Sequence, residues 1–534
     1  MHIKHFFILA FLFALHQTQG QQVSIDSSFG TNGFFLYNAV TSNSRVMSIA
    51  SLPDESMILG IHANTSRDPF CLKLSKNGVL DVSFADSGKL TLPTIGATNL
   101  LAGVQKNGKI IIALSTFYIL SVTRWFPDGT PDPSFGSNGR VVIIPPNCRA
   151  TLTSMVIDSQ DRIILGTHEE DGINTRFGIT RITPHGVQDQ TFGIHGQVSI
   201  TNINYRLYCY AVDCNKQDEI FAAGYGISNL TDGYDIVVSK VLESGEIDYS
   251  FGNHGFATYN EAYYTLSTSV KVQDDGRILA GGWIGHSTNG YFAVVRFHPD
   301  GRPDSSWGTR GYIITDFTGR ADVMFNLVIQ PDSRIIGVGY ATMEVNNQEL
   351  ALARYYRNGS RDPGFGIDGK IITNVTTKND MLQTVHLQKD WKIVAGGSYT
   401  NDGMFRPLVV RYLNQNPHLA VTSFLPNEYV YAGSEKIIKW YRDSSVLFIK
   451  IEFSTNNGVN WSTIPGAEIL PASDSGFVWN VPNSPFQSCR VRISDWNNPQ
   501  INSLSPQFNI LTPAPRIVIS TDSTWYDADF DGTE

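Results

Sequence analysis

Along most of the chain, apolar residues either alternate with polar ones or run in short blocks rich in β-branched and aromatic side chains. Helical periodicity is missing throughout. Around residues 256–297, Phe256 to Tyr259 reads as a short strand and Ser267 to Gln273 as an alternating one. Asp274, Asp275 and Gly276 form a tight turn, Arg277 to Trp283 a second long strand, and Tyr291 to Phe297 another. Similar turn triplets stand at Lys106-Asn107-Gly108, Asp128-Gly129 and Asp300-Gly301, where Gly or Asn supplies the positive φ a tight hairpin needs.

One signature punctuates this pattern seven times: SSFGTNG at 27–33, VSFADSG at 82–88, PSFGSNG at 133–139, QTFGIHG at 190–196, YSFGNHG at 249–255, SSWGTRG at 305–311 and PGFGIDG at 363–369. The aromatic residue, Phe29, Phe84, Phe135, Phe192, Phe251, Trp307 or Phe365, returns about every 56 residues. Four strands in a unit of that length describe a propeller blade. The expected architecture is all-β: a seven-bladed β-propeller over residues 21–417, followed by a C-terminal immunoglobulin-like β-sandwich over 418–512.

A charge pair fixes how the ring should close. A base stands eight positions before an acid at Lys73/Asp81, Arg124/Asp132, Arg181/Asp189, Lys240/Asp248, Arg296/Asp304 and Arg354/Asp362. Arg411 lacks its acid, for Leu419 stands there, while Asp26 has the acid and the Phe29-Gly30 but no base before it. The two ends hold complementary halves of one unit. Phe34 to Tyr37 is therefore expected as the outermost strand of the last blade, whose inner strands come from Met381 to Leu413, leaving no open edge. The pairs read as structural, each contributing about 0–1 kcal/mol where exposed.

The motif R-h-x-x-x-G-x-x-D-x-S-F-G-x-x-G, clearest at Arg124–Gly139 and Arg296–Gly311, resembles the delta-60 repeat of bacterial secreted propellers, with local departures at Ala85, Trp307 and Gly364. The resemblance covers about 390 residues and implies architecture without an activity.

After residue 417 the repeat stops. Tyr429–Tyr431, Glu435–Tyr441, Val446–Ser454, Gly476–Val481, Cys489–Ser494 and Gln507–Leu511 read as the strands of the sandwich. This stretch resembles the fibronectin-like modules of exported bacterial proteins. Ser454, Asn456, Gly458 and Trp461 resemble the Asp-box turn of sialidases, read here as a hairpin turn. Residues 513–534 contain Asp527, Asp529, Asp531 and Gly532, either the opening of a calcium loop without its bidentate acid or, as favoured here, the start of a truncated PKD-like module.

Composition narrows the function classes. Residues 1–20 carry Lys4, the apolar run Phe6 to Leu15 and small residues before Gln21, the pattern of a signal peptide, so the protein is expected to be secreted or on the cell surface. The apolar run is too short to span a bilayer, so no membrane span is expected. Forty basic and 49 acidic residues give a net charge of −9 without blocks, which argues against a nucleic-acid partner. Five cysteines make no disulfide scaffold and match no zinc spacing. Cys209 and Cys214, an odd number of residues apart, would need a bend between them to pair. No metal and no cofactor is expected.

Short, alike turns at Asp54, Asn107, Asp275, Asn77, Asp128 and Asp300 are assigned to one face, and variable connections to the other. The latter hold the candidate ligand-binding residues His168, Tyr205, Tyr208, Tyr263, Tyr264 and Arg320, together with Glu169, Glu170, Arg206 and Glu261. Aromatic rings beside hydrogen-bonding charges suit an extracellular glycan or a protein surface. No G-x-S-x-G elbow and no catalytic set appears. The expectation is a non-catalytic binding or display scaffold. The alternative is a carbohydrate-active hydrolase or lyase on the variable-loop face, marked by two acids converging with a basic or aromatic group at the ring axis.

Overall fold

The computed structural model describes residues 24–512 except 64–68, 93–96, 98, 117, 147, 230–232, 262–263, 287–288, 346, 415–418, 425–427, 443–444 and 475. The signal-like segment, the candidate Tyr263 and the acidic segment after residue 512 lie outside the described residues. The described chain is all-β apart from one 3-10 turn at Ala472–Asp474, and it divides into two compact units at Asn416/Pro417.

The first unit is built of four-stranded antiparallel sheets of the propeller type. The fifth repeat gives strands Tyr264–Val272, Ile278–His286, Asn289–Phe297 and Tyr312–Thr315 in spatial as well as chain order. The second and third strands of each sheet are buried on both faces, which is why they read as near-continuous apolar runs, whereas the short outermost strand alternates. The fourth and fifth sheets touch through one parallel bridge, Tyr234 to Tyr264. The amino-terminal strand Phe34–Leu36 pairs with Met404–Tyr412, completing the sheet that contains Ile393–Asn401 and Met381–Leu387.

The signature is a latch between consecutive sheets. Asp132 accepts both the amide and the hydroxyl of Ser134, 3.0 and 2.6 Å away, and the same Asx turn recurs at Asp26/Ser28, Asp189/Thr191, Asp248/Ser250 and Asp304/Ser306. At the divergent Gly364 only the amide contact to Asp362 is left. The turn swings the aromatic residue inward, and all seven rings are at most 1% exposed. Arg124 ion-pairs with Asp132 at 2.7 Å, lies over the Phe135 ring at 4.8 Å and donates to the Pro184 carbonyl of the next repeat at 2.6 Å. Arg181 reaches Glu243 O, Arg296 reaches Arg357 O and Arg411 reaches Lys76 O in the same way. Glycine is required where the next turn closes over the ring: a Cβ at Gly78 would stand 2.6 Å from Phe29, and one at Gly359 2.7 Å from Trp307.

The ring-closing half-unit obeys the same geometry, with Arg411 2.8 Å from Asp26 and 4.8 Å from the Phe29 ring centroid. The arginine pairs are buried, with Arg124 and Asp132 side chains 4% and 2% exposed, so the estimate for exposed pairs does not apply to them, whereas Lys73/Asp81 and Lys240/Asp248 are partly exposed. Breaking a buried pair by removing one partner costs about 3–5 kcal/mol.

The latch predicts acid sensitivity. Burial works against the charges of Asp26, Asp189, Asp248 and Asp304, but the hydroxyl two residues on and the paired cation hold each carboxyl below its ordinary 3.8. With folded pKa values depressed, this stabilisation is full above pH about 4 and lost as pH falls through the lowered values. Calorimetry should show the melting temperature dropping steeply below that pH. A melting temperature unchanged down to pH about 2 would contradict the latch.

The second unit has two sheets around one core. Leu419–Val421, Glu435–Arg442 and Gly476–Asn480 form one sheet. Glu428–Tyr431, Phe508–Leu511, Phe486–Asp495, Phe448–Ser454 and Ser462–Thr463 form the spine of the other. Trp440, Trp479, Cys489 and Phe508 are buried between them. Residues 454–460 make a hairpin turn in which Ser454 Oγ accepts Gly458 N at 2.8 Å and Asn456 Oδ1 accepts Asn460 N at 2.9 Å. All five cysteines are free, and burial pushes the Cys209 thiol up to about 12.

Candidate functional site

The short turns gather at one face: a Cβ on Gly108 would meet Pro53 at 3.3 Å and Pro127 at 3.9 Å, and one on Gly276 would meet Pro299 at 3.4 Å. At the opposite ends of the strands the sequence candidates form an aromatic ladder. His168 stacks on Tyr208 at 4.7 Å and Tyr208 on Tyr225 at 4.7 Å. Tyr225 meets Tyr234 at 5.5 Å, Tyr234 meets Tyr264 at 4.9 Å, and Tyr264 meets Trp283 at 5.7 Å. Burial lowers the His168 pKa below its ordinary 6.5 and so favours the uncharged ring. Tyr205 donates to Asp235 Oδ2 at 2.6 Å, and burial with that carboxylate pushes its pKa up to about 12.

His168, Tyr205, Tyr208 and Tyr264 thus lie in strands rather than in loops. The first of these strands runs on to Glu170, and the other two already start at Tyr205 and Tyr264, where tyrosine favours the strand. Both faces of Tyr208 are covered, so the ladder ties neighbouring sheets together. Arg320 is exposed in the bend 317–320 and takes no part in these ring contacts. Glu169 is buried and held by Arg176 at 2.9 Å and Ser199 at 2.8 Å. Glu261 accepts from Tyr259 at 3.1 Å and Tyr312 at 3.2 Å. The candidate acids are engaged separately. Among the described residues no group of three or more His, Cys, Asp or Glu is placed to hold a metal ion, and no helix is long and apolar enough to cross a membrane.

A cavity of about 490 Å³ lies where the innermost strands of the first unit's sheets meet. Six of these strands carry a β-bulge at one level, between Val46/Ser48, Leu152/Ser154, Cys209/Ala211, Ser267/Ser269, Met324/Asn326 and Leu382/Thr384. The inserted residues are Met47, Thr153, Tyr210, Thr268, Phe325 and Gln383, and every one lines the cavity. Asn99–Val104 pairs without a slip. Hydroxyls beside the bulges tie strand to strand: Ser48 Oγ accepts Ala102 N at 2.8 Å, and Ser154 Oγ accepts Val212 N at 3.1 Å. Lys271 in the wall is neutralised by Asp213 at 3.0 Å. His386, 2.7 Å from Ser51, is pushed down to about 4 by burial and is uncharged. Among the described lining residues there is no aspartate or glutamate.

The sequence reading missed Met47, Tyr210, Phe325 and Gln383. The available signal was the slip in alternation at Val46-Met47-Ser48, Met324-Phe325-Asn326 and Leu382-Gln383-Thr384, repeated at one position of the unit.

Fold and cavity together define a propeller-type repeat protein with an axial opening. Residues 273–306 and 330–365 match the family described as "Domain of unknown function (DUF5122) beta-propeller", to which the chain is therefore similar in those segments. No match was found among curated proteins. Similar solved structures include a GH43 β-1,3-galactosidase at 9% identity, covering 71% of this chain and 93% of that one, with a TM-score of 0.29. An endo-arabinase from Bacteroides thetaiotaomicron is 12% identical over 52% of this chain and 98% of its own, with a TM-score of 0.27. Prolyl oligopeptidase B from Galerina marginata is 9% identical over 85% of this chain and 56% of its own, with a TM-score of 0.34. None of the three bears on the chemistry of this chain.

Proposed function

We propose that this chain is an exported, non-catalytic binding protein. Its seven repeats are the blades of one closed β-propeller followed by an immunoglobulin- or fibronectin-like sandwich, and it holds an extracellular glycan at the axial opening. The blade reading is supported by the innermost strands, which neighbour one another in a closed order from Ser44–Ser51 through Tyr205–Cys214 to Met381–Leu387 and back. Export rests on the amino-terminal segment alone.

One observation carries the choice between binding and hydrolysis. Glycoside hydrolysis by the common route needs two carboxyl groups flanking the scissile bond, and the described lining of the axial cavity offers none. Aromatic, amide and hydroxyl groups there suit the faces and hydroxyls of sugars. The test is a glycan array run beside a reducing-end assay on bacterial and plant polysaccharides, using the chain from residue 21 onward. Retention of a glycan without new reducing ends is expected. Turnover that disappears when Glu169, Glu170 or Glu261 is changed in a folded protein would replace this reading with the hydrolase.

A further inference from the structure

The bulged residues divide by chemistry. Thr153 and Thr268 have their hydroxyls committed to backbone carbonyls, Gly166 O at 3.1 Å and Met324 O at 2.9 Å. Tyr210, Phe325, Met47 and Gln383 do not make that bond. Tyr210 is 42% exposed although its strand is otherwise largely enclosed. It is backed by Tyr225 at 5.7 Å, and Phe325 is backed by Tyr340 at 5.9 Å. Tyr225 and Tyr340 stand at one position of the second strand, after Gly224 and Gly339, where the fifth repeat has Trp283 after Gly282. The fourth and sixth repeats therefore each give the cavity an aromatic ring, with Thr268 of the fifth between them. Across from them, Asn99–Val104 inserts no side chain.

A second, independent feature points to a ligand. Gln383 brings a carboxamide to the cavity lining, and no other bulged residue does; its Nε2 is closed to solvent and has no acceptor among the described residues, so a ligand oxygen reaches that donor once the amide rotates toward the cavity. A buried amide donor without an acceptor is costly, and a ligand oxygen would satisfy it. The wall's charge is balanced: Lys271 is paired with Asp213, His386 is neutral, and the described lining residues include no carboxylate. An anion entering it would find no free cation, whereas hydroxyls and C–H faces would lose little.

We infer that the axial cavity is a subsite for an uncharged sugar unit, stacked against Tyr210 and Phe325, with one of its oxygens accepting from Gln383, and that it selects neutral sugars over uronic acids. This rests on the glycan-binding reading above and adds to it the place and the charge selectivity. The bulges make the site, because each turns out toward the axis a side chain that a regular strand would bury between sheets.

The test is saturation-transfer NMR and calorimetric titration of the full chain with the methyl glycosides of galactose, glucose and mannose and with the matching uronic acids. At least one neutral glycoside should bind at least about tenfold more tightly than its acid. Phe325→Ala and Tyr210→Ala should each weaken it about tenfold or more, Gln383→Ala by a smaller factor, and Tyr210→Phe should retain most of it. Melting temperatures separate lost binding from lost fold, and Tyr429→Ala on the second unit serves as the neutral control. Equal binding of acid and neutral sugars, no binding of any neutral glycoside, or full binding by both aromatic variants would overturn the subsite. Array retention that survives in folded Phe325→Ala and Tyr210→Ala chains would overturn it while leaving the glycan-binding reading in place. No array retention at all would sink that reading.

Discussion

Removing residues 24–37 should leave a chain that does not reach a stable monomeric fold. The deletion uncovers the edge of Met404–Tyr412, leaves the Arg411 guanidinium buried without Asp26, and opens the space Phe29 fills. The orphaned charge costs about 3–5 kcal/mol and the missing ring about as much again. Together these reach the whole stability of a typical domain, about 5–15 kcal/mol. Size-exclusion chromatography and calorimetry should show aggregation, or a melting temperature lowered by tens of degrees. A stop after Pro417 removes none of these contacts and should leave the melting of the repeat unit within a few degrees of its original value. A deleted chain that stays monomeric and melts normally would mean the ring does not depend on its amino-terminal strand.

Replacing the latch ring should give the largest effect of any single side chain. Phe135→Ala empties a site enclosed by Arg124, the turn at Gly186 and its own sheet, and the expected loss is about 3–5 kcal/mol in urea unfolding. Trp307→Ala should cost at least as much, since it also removes a hydrogen bond to Arg357 O at 2.9 Å. A loss below about 1 kcal/mol in both would show that the ring is not a packing centre.

Much of this latch was legible in the sequence because its members recur at fixed offsets: Arg124, Asp132, Ser134 and Phe135 are all within one motif. Its burial was not legible, because the groups that seal it, Pro184 O and Gly186, come from the next repeat, and no spacing rule says how closely two sheets approach. The tyrosines stand out in the sequence as a group, but their surroundings do not: Tyr208 stacks on His168 and Tyr225, residues 40 and 17 positions away that only the folded sheets bring together. The cavity was hardest to see. A bulge changes the alternation by one residue, and in a strand such as Ser267-Thr268-Ser269 that slip does not alter the polar pattern at all.

Diffraction from crystals of the full chain soaked with the best-retained oligosaccharide of the array would test the functional account most directly. The account predicts an intact sugar unit in the axial cavity, against Tyr210 and Phe325, with no carboxylate within hydrogen-bond reach of its glycosidic oxygen. A cleaved product, or an oligosaccharide seated on another surface with the cavity unfilled, would contradict it.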